Sequence, residues 1–324
     1  MAGPALSLKM KTDKTIALCI PAYNAEAWLP RLLTSARNQL IPFDELIVYN
    51  DCSTDDTAKI AAAYGAKVIS GDINRGCSYG KNILAEQTSC NWIHFHDADD
   101  ELFPNFTSLA HKWLNDPHCP DVILFNYEYR DNDSDQLLGI RTFNKAGLEK
   151  DAIAYAIKEQ INPFCGLYKK SAFTRAGGYD IDPLVLFNED KALHIRLAIG
   201  GLTFSAESDI SIINYRIGSS MSSANLHKCI RAQYHVLRKT AITHGNLYPK
   251  ELSDQLYHCV ASLAAIQDWE YVKKALALCV KLGYKYADNG SRSFGFLTRL
   301  DPYFAVWLRE KMIRLFKPHL RKND

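Results

Sequence analysis

The sequence predicts an α/β fold with a central, mostly parallel sheet, followed by a C-terminal α-helical region. Three observations carry this. Short apolar runs alternate with amphipathic helical patterns through the first half, while from about Asn225 only helical periodicity remains. Over 324 residues, 47% are hydrophobic and 23% charged, the balance of an ordinary globular protein. Disorder, collagen-like repeats and coiled coil are thereby excluded, and a chain this long buries a full core with no disulfide or metal staple.

The elements follow in order. Thr15 to Ile20 reads as a buried strand stopping at Pro21. In the next helix Trp28, Leu29, Leu32, Leu33 and Ala36 share one face, with Pro30 tolerated in the first turn. Glu45 to Tyr49 is the second strand. Ser53 or Asp55 can cap a helix through Ile60 to Tyr64, which Gly65 ends. Lys67 to Ile69 is a third strand, Tyr79 to Glu86 a helix and Trp92 to Phe95 a fourth strand. This alternation argues for parallel strands joined by right-handed crossovers. Val122 to Phe125 and Ile210 to Ile217 read as further strands, with a polar turn at Asp131 to Asp135. Helices are expected over His227 to Thr243, Lys250 to Ala265, Tyr271 to Leu282 and Tyr303 to Phe316, punctuated by Pro249, Gly283, Gly290 and Pro302.

The expected organisation is a tail over 1–14, an α/β domain over 15–224 and a helical region over 225–324, in line with about 150 residues per domain. Lys plus Arg number 38 against 36 Asp plus Glu, so the net charge of +2 gives no argument for nucleic-acid binding. No apolar run approaches the roughly 18–20 residues that span a bilayer, and Met1 to Lys14 lacks the apolar stretch of a secretory signal. Nine scattered cysteines without a C-x-x-C pair read as reduced, cytoplasmic thiols, not as a disulfide or zinc framework.

In an open α/β sheet, ligands collect beyond the carboxyl ends of the strands. Four polar clusters fall there: Pro21-Ala-Tyr-Asn24, Asn50 to Thr57, Asn74 to Asn82 and His96 to Glu101. Neither G-x-G-x-x-G nor a Walker A sequence is present. Asp97, Asp99, Asp100 and Glu101 crowd like charges that repel unless a cation screens them, and oxygen ligands suit Mg2+ or Mn2+ bridged to phosphate. Taken alone, the cluster reads equally as a solvated or helix-capping turn. Asp55 reads as a cap. His94 and His96 share one face of their strand, where packing against a neighbouring helix is the favoured reading.

Together the clusters resemble the family 2 glycosyltransferases, which have the GT-A nucleotide-sugar-binding fold. The resemblance covers roughly residues 14–223. It rests on IPAYNAEAWLPRLL, NDCSTDDT, NRGCSYGKN, HDADDELFP, GGYDIDPLVLFNEDKALHIRLAIGG and YRIGSSMS, in the family's order and spacing. It implies that Pro21, Tyr23 and Asn24 border the nucleotide, with Tyr23 over the base and Asp51 accepting from uracil N3–H. Asn74 and Gly76 would let the backbone approach the nucleotide, and Lys81, where the family usually has Arg, would meet the diphosphate as a point charge. Asp97, Ala98 and Asp99 correspond to the family's D-x-D, with Asp97 and Asp99 binding the ribose and the Mn2+ or Mg2+ on the diphosphate; Asp100 can share that duty. Glu189 and Asp190 match the acidic pair opening a helix, and Asp190 would be the general base of an inverting displacement. Gly177, Gly178, Tyr179 and Asp180, with Glu189, would line the acceptor side. Tyr215-Arg216 and Ser219 to Ser222 resemble a loop that closes over the diphosphate, although Gly218 stands where many members have histidine.

Residues 225–324 hold 17 Lys plus Arg against 8 Asp plus Glu, a net of +9, leaving 21 against 28 elsewhere, a net of −7. The last helix sets Phe304, Trp307, Leu308, Met312 and Leu315 among Arg309, Lys311, Arg314 and Lys317. Such a helix either packs on its own domain with a solvated basic face or lies on an anionic membrane. The resemblance implies transfer from a UDP-sugar to a glycan or lipid-linked glycan acceptor in surface polysaccharide synthesis. The placement it implies is cytoplasmic, and peripheral at the inner membrane face if the second alternative holds. The rival readings are a non-catalytic nucleotide-sugar-binding partner and a sugar-phosphate nucleotidyltransferase; the latter lacks its Gly-rich loop after the first strand.

Overall fold

The structure, a computed structural model, describes residues 13–217, 225–283, 296–298 and 300–321. Two compact units emerge. The first takes the chain up to Glu149, Pro163–Gly178 and Gly200–Ile217; the second takes Lys150–Asn162, Tyr179–Ile199 and the chain from Gly218 onward. The division is not the single cut after residue 224 expected from composition, because two segments from within the α/β half join the helices.

The first unit is built on one sheet of nine strands: β1 (Ile16–Ala22), β2 (Glu45–Asn50), β3 (Lys67–Ser70), β4 (Trp92–Phe95), β5 (Glu101–Leu102), β6 (Val122–Asp131), β7 (Leu137–Arg141), β8 (Gly166–Lys169) and β9 (Phe204–Arg216). Their order is β3-β2-β1-β4-β8-β6-β9-β5, with β7 on β6. The expected parallel arrangement holds from β3 to β4. Beyond β4 the sheet is mixed: β8 runs antiparallel to β4 and β6, while β6 and β9 are parallel.

Ile16 to Ile20 are all fully buried, as a strand covered on both faces requires. The strand continues through Pro21 to Ala22 because β4 flanks only Ile16 to Cys19, so the proline lies where one side of the ladder is open. Helix α1 (Leu29–Arg37) buries Leu29, Leu32, Leu33 and Ala36 and carries its proline in the first turn. Helices α2 (Thr57–Ala63) and α3 (Cys77–Gln87) follow β2 and β3. Helix α4 (Phe106–Leu114) sets Phe106 against Phe125 and His94, ring centroids 4.7 and 4.2 Å apart. The histidine pair thus faces a helix, as favoured.

The second unit is helical. Helices α5 (Ala152–Lys158) and α6 (Glu189–Ile199) bury Ala156, Ile157, Leu193, Ile195 and Leu197 and pack on each other and on later helices. Those later helices are α7 (Leu226–His244), α8 (Pro249–Ala265), α9 (Trp269–Lys281) and α10 (Pro302–Phe316), each within two residues of its expected start. Apolar faces seek apolar faces, which is why two early segments leave the sheet. All nine cysteines are free thiols. No described helix is long and apolar enough to cross a membrane.

Candidate active site

Parallel strands β1, β2, β3 and β4 end on one edge of the sheet, and side-chain bonds there tie the first two loops together. Asn24, at φ 48°, accepts from Thr54 N–H at 2.9 Å, and its own N–H donates to Ser53 Oγ at 3.0 Å. Glu26 N–H donates to Asp55 Oδ2 and Asp55 Oδ1 accepts from Thr57 N–H, but Asp56, not the expected Asp55, occupies the capping position of α2, without a side-chain cap bond. Tyr23 projects outward, 52% exposed, with an open aromatic face available to a planar base.

Asp51, buried at the end of β2, accepts from Arg75 N–H at 2.8 Å and Gly76 N–H at 2.7 Å, one on each oxygen. Its carboxylate therefore builds the loop between β3 and α3. Gly76 stands at φ 86°, a conformation glycine adopts without strain, and opens α3. Asn74 is exposed at the mouth of that loop.

At the end of β4, Asp97, Ala98 and Asp99 are half-buried in a turn. Lys81 of α3 is buried and sets Nζ 3.1 Å from Asp97 Oδ1, so its charge meets the acidic turn directly. Burial and the charge of Asp97 push the Asp99 carboxyl above its usual range. Asp100 differs: it is buried, Asn214 Nδ2 donates to both its oxygens at 3.0 and 2.8 Å, and Tyr215 N–H donates at 2.9 Å. Asp100 thus braces the turn against β9, while burial and the charges of Asp99 and Asp97 push its carboxyl well above the usual range.

The donor set at this turn fits a divalent cation. Two neighbouring carboxylates repel, one of them against burial, and a hard cation relieves both costs with oxygen ligands. Among the described residues no cluster of three or more His, Cys, Asp or Glu could hold a metal by itself. Asp97 and Asp99 would therefore need oxygens from diphosphate and water, the usual arrangement for Mg2+ and Mn2+.

Behind the turn lies a neutral histidine pair. A carbonyl only accepts, so His94 Nδ1–H donates to Gly166 O at 2.9 Å, and His96 Nδ1–H then donates to His94 Nε2 at 3.0 Å. Burial drives His94 well below its ordinary value, and burial with the nearby Lys81 charge takes His96 down to about 3.

Other expected residues lie elsewhere. Gly178, at φ 57°, packs so closely on α3 that a Cβ would stand 2.6 Å from Asn82 Oδ1. Tyr179 is 2% exposed and belongs to the core of the second unit, so its ring offers no acceptor wall. Asp180 is ion-paired with Arg196 and Lys239, both at 2.9 Å. Tyr215 and Arg216 end β9 as sheet residues, and Arg216 covers the Tyr129 ring at 4.3 Å, so neither forms a loop. Gly218 and Ser219 to Ser222 lie outside the described residues.

Glu189 and Asp190 open α6 in the second unit, half-buried, with the Asp190 carbonyl accepting from His194 Nδ1–H at 2.8 Å. The residue before the Asn188-Glu189-Asp190 run, Phe187, has φ 74°, and the Oδ1 of Asn188 is buried with no hydrogen-bond partner among the described residues. Strained backbone of this kind gathers at functional sites.

Sequence reasoning missed Arg31. From α1 it lies 3.6 Å over the Tyr215 ring and donates through Nη2 to the Asp99 carbonyl, fixing the acidic turn from behind. Its place three residues into a helix whose apolar face was legible gave no sign of that reach.

Comparison with known proteins now bears on this geometry. Residues 17–175 match glycosyl transferase family 2. A 101-residue stretch is 42% identical to the 4,4'-diaponeurosporenoate glycosyltransferase of Staphylococcus aureus, covering 28% of this chain and 27% of that protein. Among solved structures, S. aureus TarS 1-349 in complex with UDP-GlcNAc superposes with a TM-score of 0.58 at 16% identity, over 93% of this chain and 92% of that one. The mannosyltransferase PcManGT of Pyrobaculum calidifontis, in complex with GDP-Man and Mn2+, gives 0.56 at 17% identity, over 94% and 81%. Identities this low speak to the fold alone, which is the GT-A type of mixed α/β fold.

Proposed function

Because residues 17–175 belong to glycosyl transferase family 2, we propose that this chain is an inverting, metal-dependent transferase that moves a sugar from a UDP-sugar to a hydroxyl of a glycan or lipid-linked glycan. The observation that carries the reading is the acidic turn ending β4. Asp97, paired with Lys81, stands there beside Asp99, whose carboxyl burial and Asp97 push up, next to a loop whose N–H groups Asp51 has organised. The solved relatives named with UDP-GlcNAc and with GDP-Man plus Mn2+ support a nucleotide-sugar donor and a divalent ion.

In this reading Tyr23 stacks on the base and Asn74 and Gly76 let the backbone approach the nucleotide. Asp97 and Asp99 hold a Mn2+ or Mg2+ ion, whose chemistry is to offset charge on the departing diphosphate. Lys81 keeps the turn from becoming more anionic than one divalent ion can balance. Asp190 takes the proton from the acceptor hydroxyl as its oxygen forms a bond to the anomeric carbon and the bond to UDP breaks, which inverts that carbon. Surface polysaccharide synthesis at the cytoplasmic face of a membrane is the setting we propose.

The test is UDP release from a panel of UDP-sugars with a mixed glycan acceptor and Mn2+. Asp190→Asn is expected to lose transfer by about 10²–10⁴-fold, the usual worth of a general base, with its melting temperature unchanged. Full transfer by this variant overturns the base assignment. Donor binding without turnover by the wild type points instead to a non-catalytic partner.

A further inference from the structure

Helix α10 packs the wrong way round for a helix content on its own domain. The residues it buries are Ala305, Val306 and Glu310, small or polar, with Arg314 and Arg321 clasping the glutamate. Its large apolar side chains point out: Phe304 is 45% exposed, Trp307 36%, Met312 48% and Leu315 70%. At 100° per residue, Phe304, Trp307, Leu308, Met312 and Leu315 form one stripe, with buried Val306 and Glu310 on the far side of the helix. Phe316, the last residue of the helix, and Leu320 beyond it are exposed too. Phe304 and Trp307 stack at 5.9 Å, and Lys311 Nζ sits 5.7 Å over the Trp307 ring.

We propose that this outward face of α10 is a docking surface for an anionic membrane. Charge decides the occupant. Residues 225–324 carry a net of +9, and Lys311 lies within the stripe with Arg309 beside it. A second copy of the chain would bring the same positive charge against itself, whereas anionic headgroups attract it while the acyl boundary takes the rings and leucine. Aromatic side chains of Trp307 kind, apolar in body with one polar atom, suit that boundary. The inference stands on α10 alone and does not require sugar transfer, although a docked enzyme would meet lipid-linked acceptors at the surface.

The experiment is flotation of the full chain with phosphatidylglycerol–phosphatidylcholine vesicles, against pure phosphatidylcholine, at physiological salt. The wild type is expected to float only with the anionic vesicles. Leu315→Asp, at an exposed position that leaves the melting temperature unchanged, is expected to lower binding about tenfold or more by removing a buried leucine contact. The double change Arg309→Glu with Lys311→Glu keeps the stripe and is expected to weaken binding to anionic vesicles about thirtyfold or more, as about 1 kcal/mol per basic residue implies. The proposal is overturned if the wild type stays unbound, if Leu315→Asp floats as well as the wild type, or if the chain is a dimer that Leu315→Asp splits. UDP release by Leu315→Asp in solution stays at the wild-type level, so loss of docking and loss of transfer are read separately.

Discussion

The ends of β2 and β4 carry the same residue type and put it to opposite uses. At β2, Asp51 is buried with an N–H on each oxygen, and its charge is settled by the loop it builds. At β4, Asp97 has one ammonium and Asp99 is pushed toward its protonated form by burial and by Asp97. Asp100, in the same turn as Asp99, is reached by Asn214 and Tyr215 of β9, yet burial and the charges of Asp99 and Asp97 still push its carboxyl well above the usual range. Asp51 differs from the carboxylates proposed to bind the ion in having a backbone N–H on each oxygen. Residue type and strand-end position are shared by both.

The largest effect that could break this contrast is at Asp99. Asp99→Asn is expected to lower transfer about 10²–10³-fold, the scale of a lost charge-stabilising contact. Stability should hold or rise, since the change removes a repulsion. Mn2+ at a hundred times its dissociation constant should stabilise the wild type by about 2.7 kcal/mol and leave this variant unmoved. Thermal melting with and without Mn2+ checks it, and a retained shift in Asp99→Asn would place the ion elsewhere.

Asp51 should behave in the reverse manner. Asp51→Ala leaves the N–H groups of Arg75 and Gly76 without their acceptor in a part-buried place, at a cost of about 1–3 kcal/mol in urea unfolding. Loss of UDP affinity should follow from the loosened loop. A variant as stable as the wild type would show that Asp51 is not a framework residue.

Much of this was legible beforehand. The four parallel strands showed as apolar runs, and the helices of the second unit as 3.6-residue periodicity, because each reports one buried face. The motif-bearing loops fell at strand ends for the same reason. Strands β5, β7 and β8 did not show: they are two to five residues long, and Leu137, Leu138 and Ile140 of β7 are exposed, so no burial pattern marks them. The roles of Asp51, Asp100 and Arg31 were hidden too. Each depends on a partner 24 to 115 residues away that only the folded sheet brings close. Tyr179 was read as a wall and is core, since a tyrosine beside two glycines carries no sign of which way its ring turns.

A charge with few hydrogen-bond partners is costly wherever it sits, and for a cation in the second unit the partners needed are acceptors. Lys191, next to the proposed base, is 3% exposed, and its Nζ donates to the Glu159 carbonyl at 3.3 Å. Burial takes its pKa from 10.5 to about 8. Below pH 8 the lysine is protonated in both folded and unfolded chains, and the penalty for burying the charge is fully present. Between about 8 and 10.5 the unfolded chain binds the extra proton, so stability should rise with pH across that window. Lys191→Met, similar in length and uncharged, is expected to raise stability at pH 7 by about 1–2 kcal/mol and to flatten the rise above pH 8. Urea unfolding of both proteins at pH 7 and pH 9.5 decides it. Equal slopes with pH would mean that Lys191 keeps its proton in the fold, its ammonium matched by the Glu159 carbonyl and neighbouring acceptors after all.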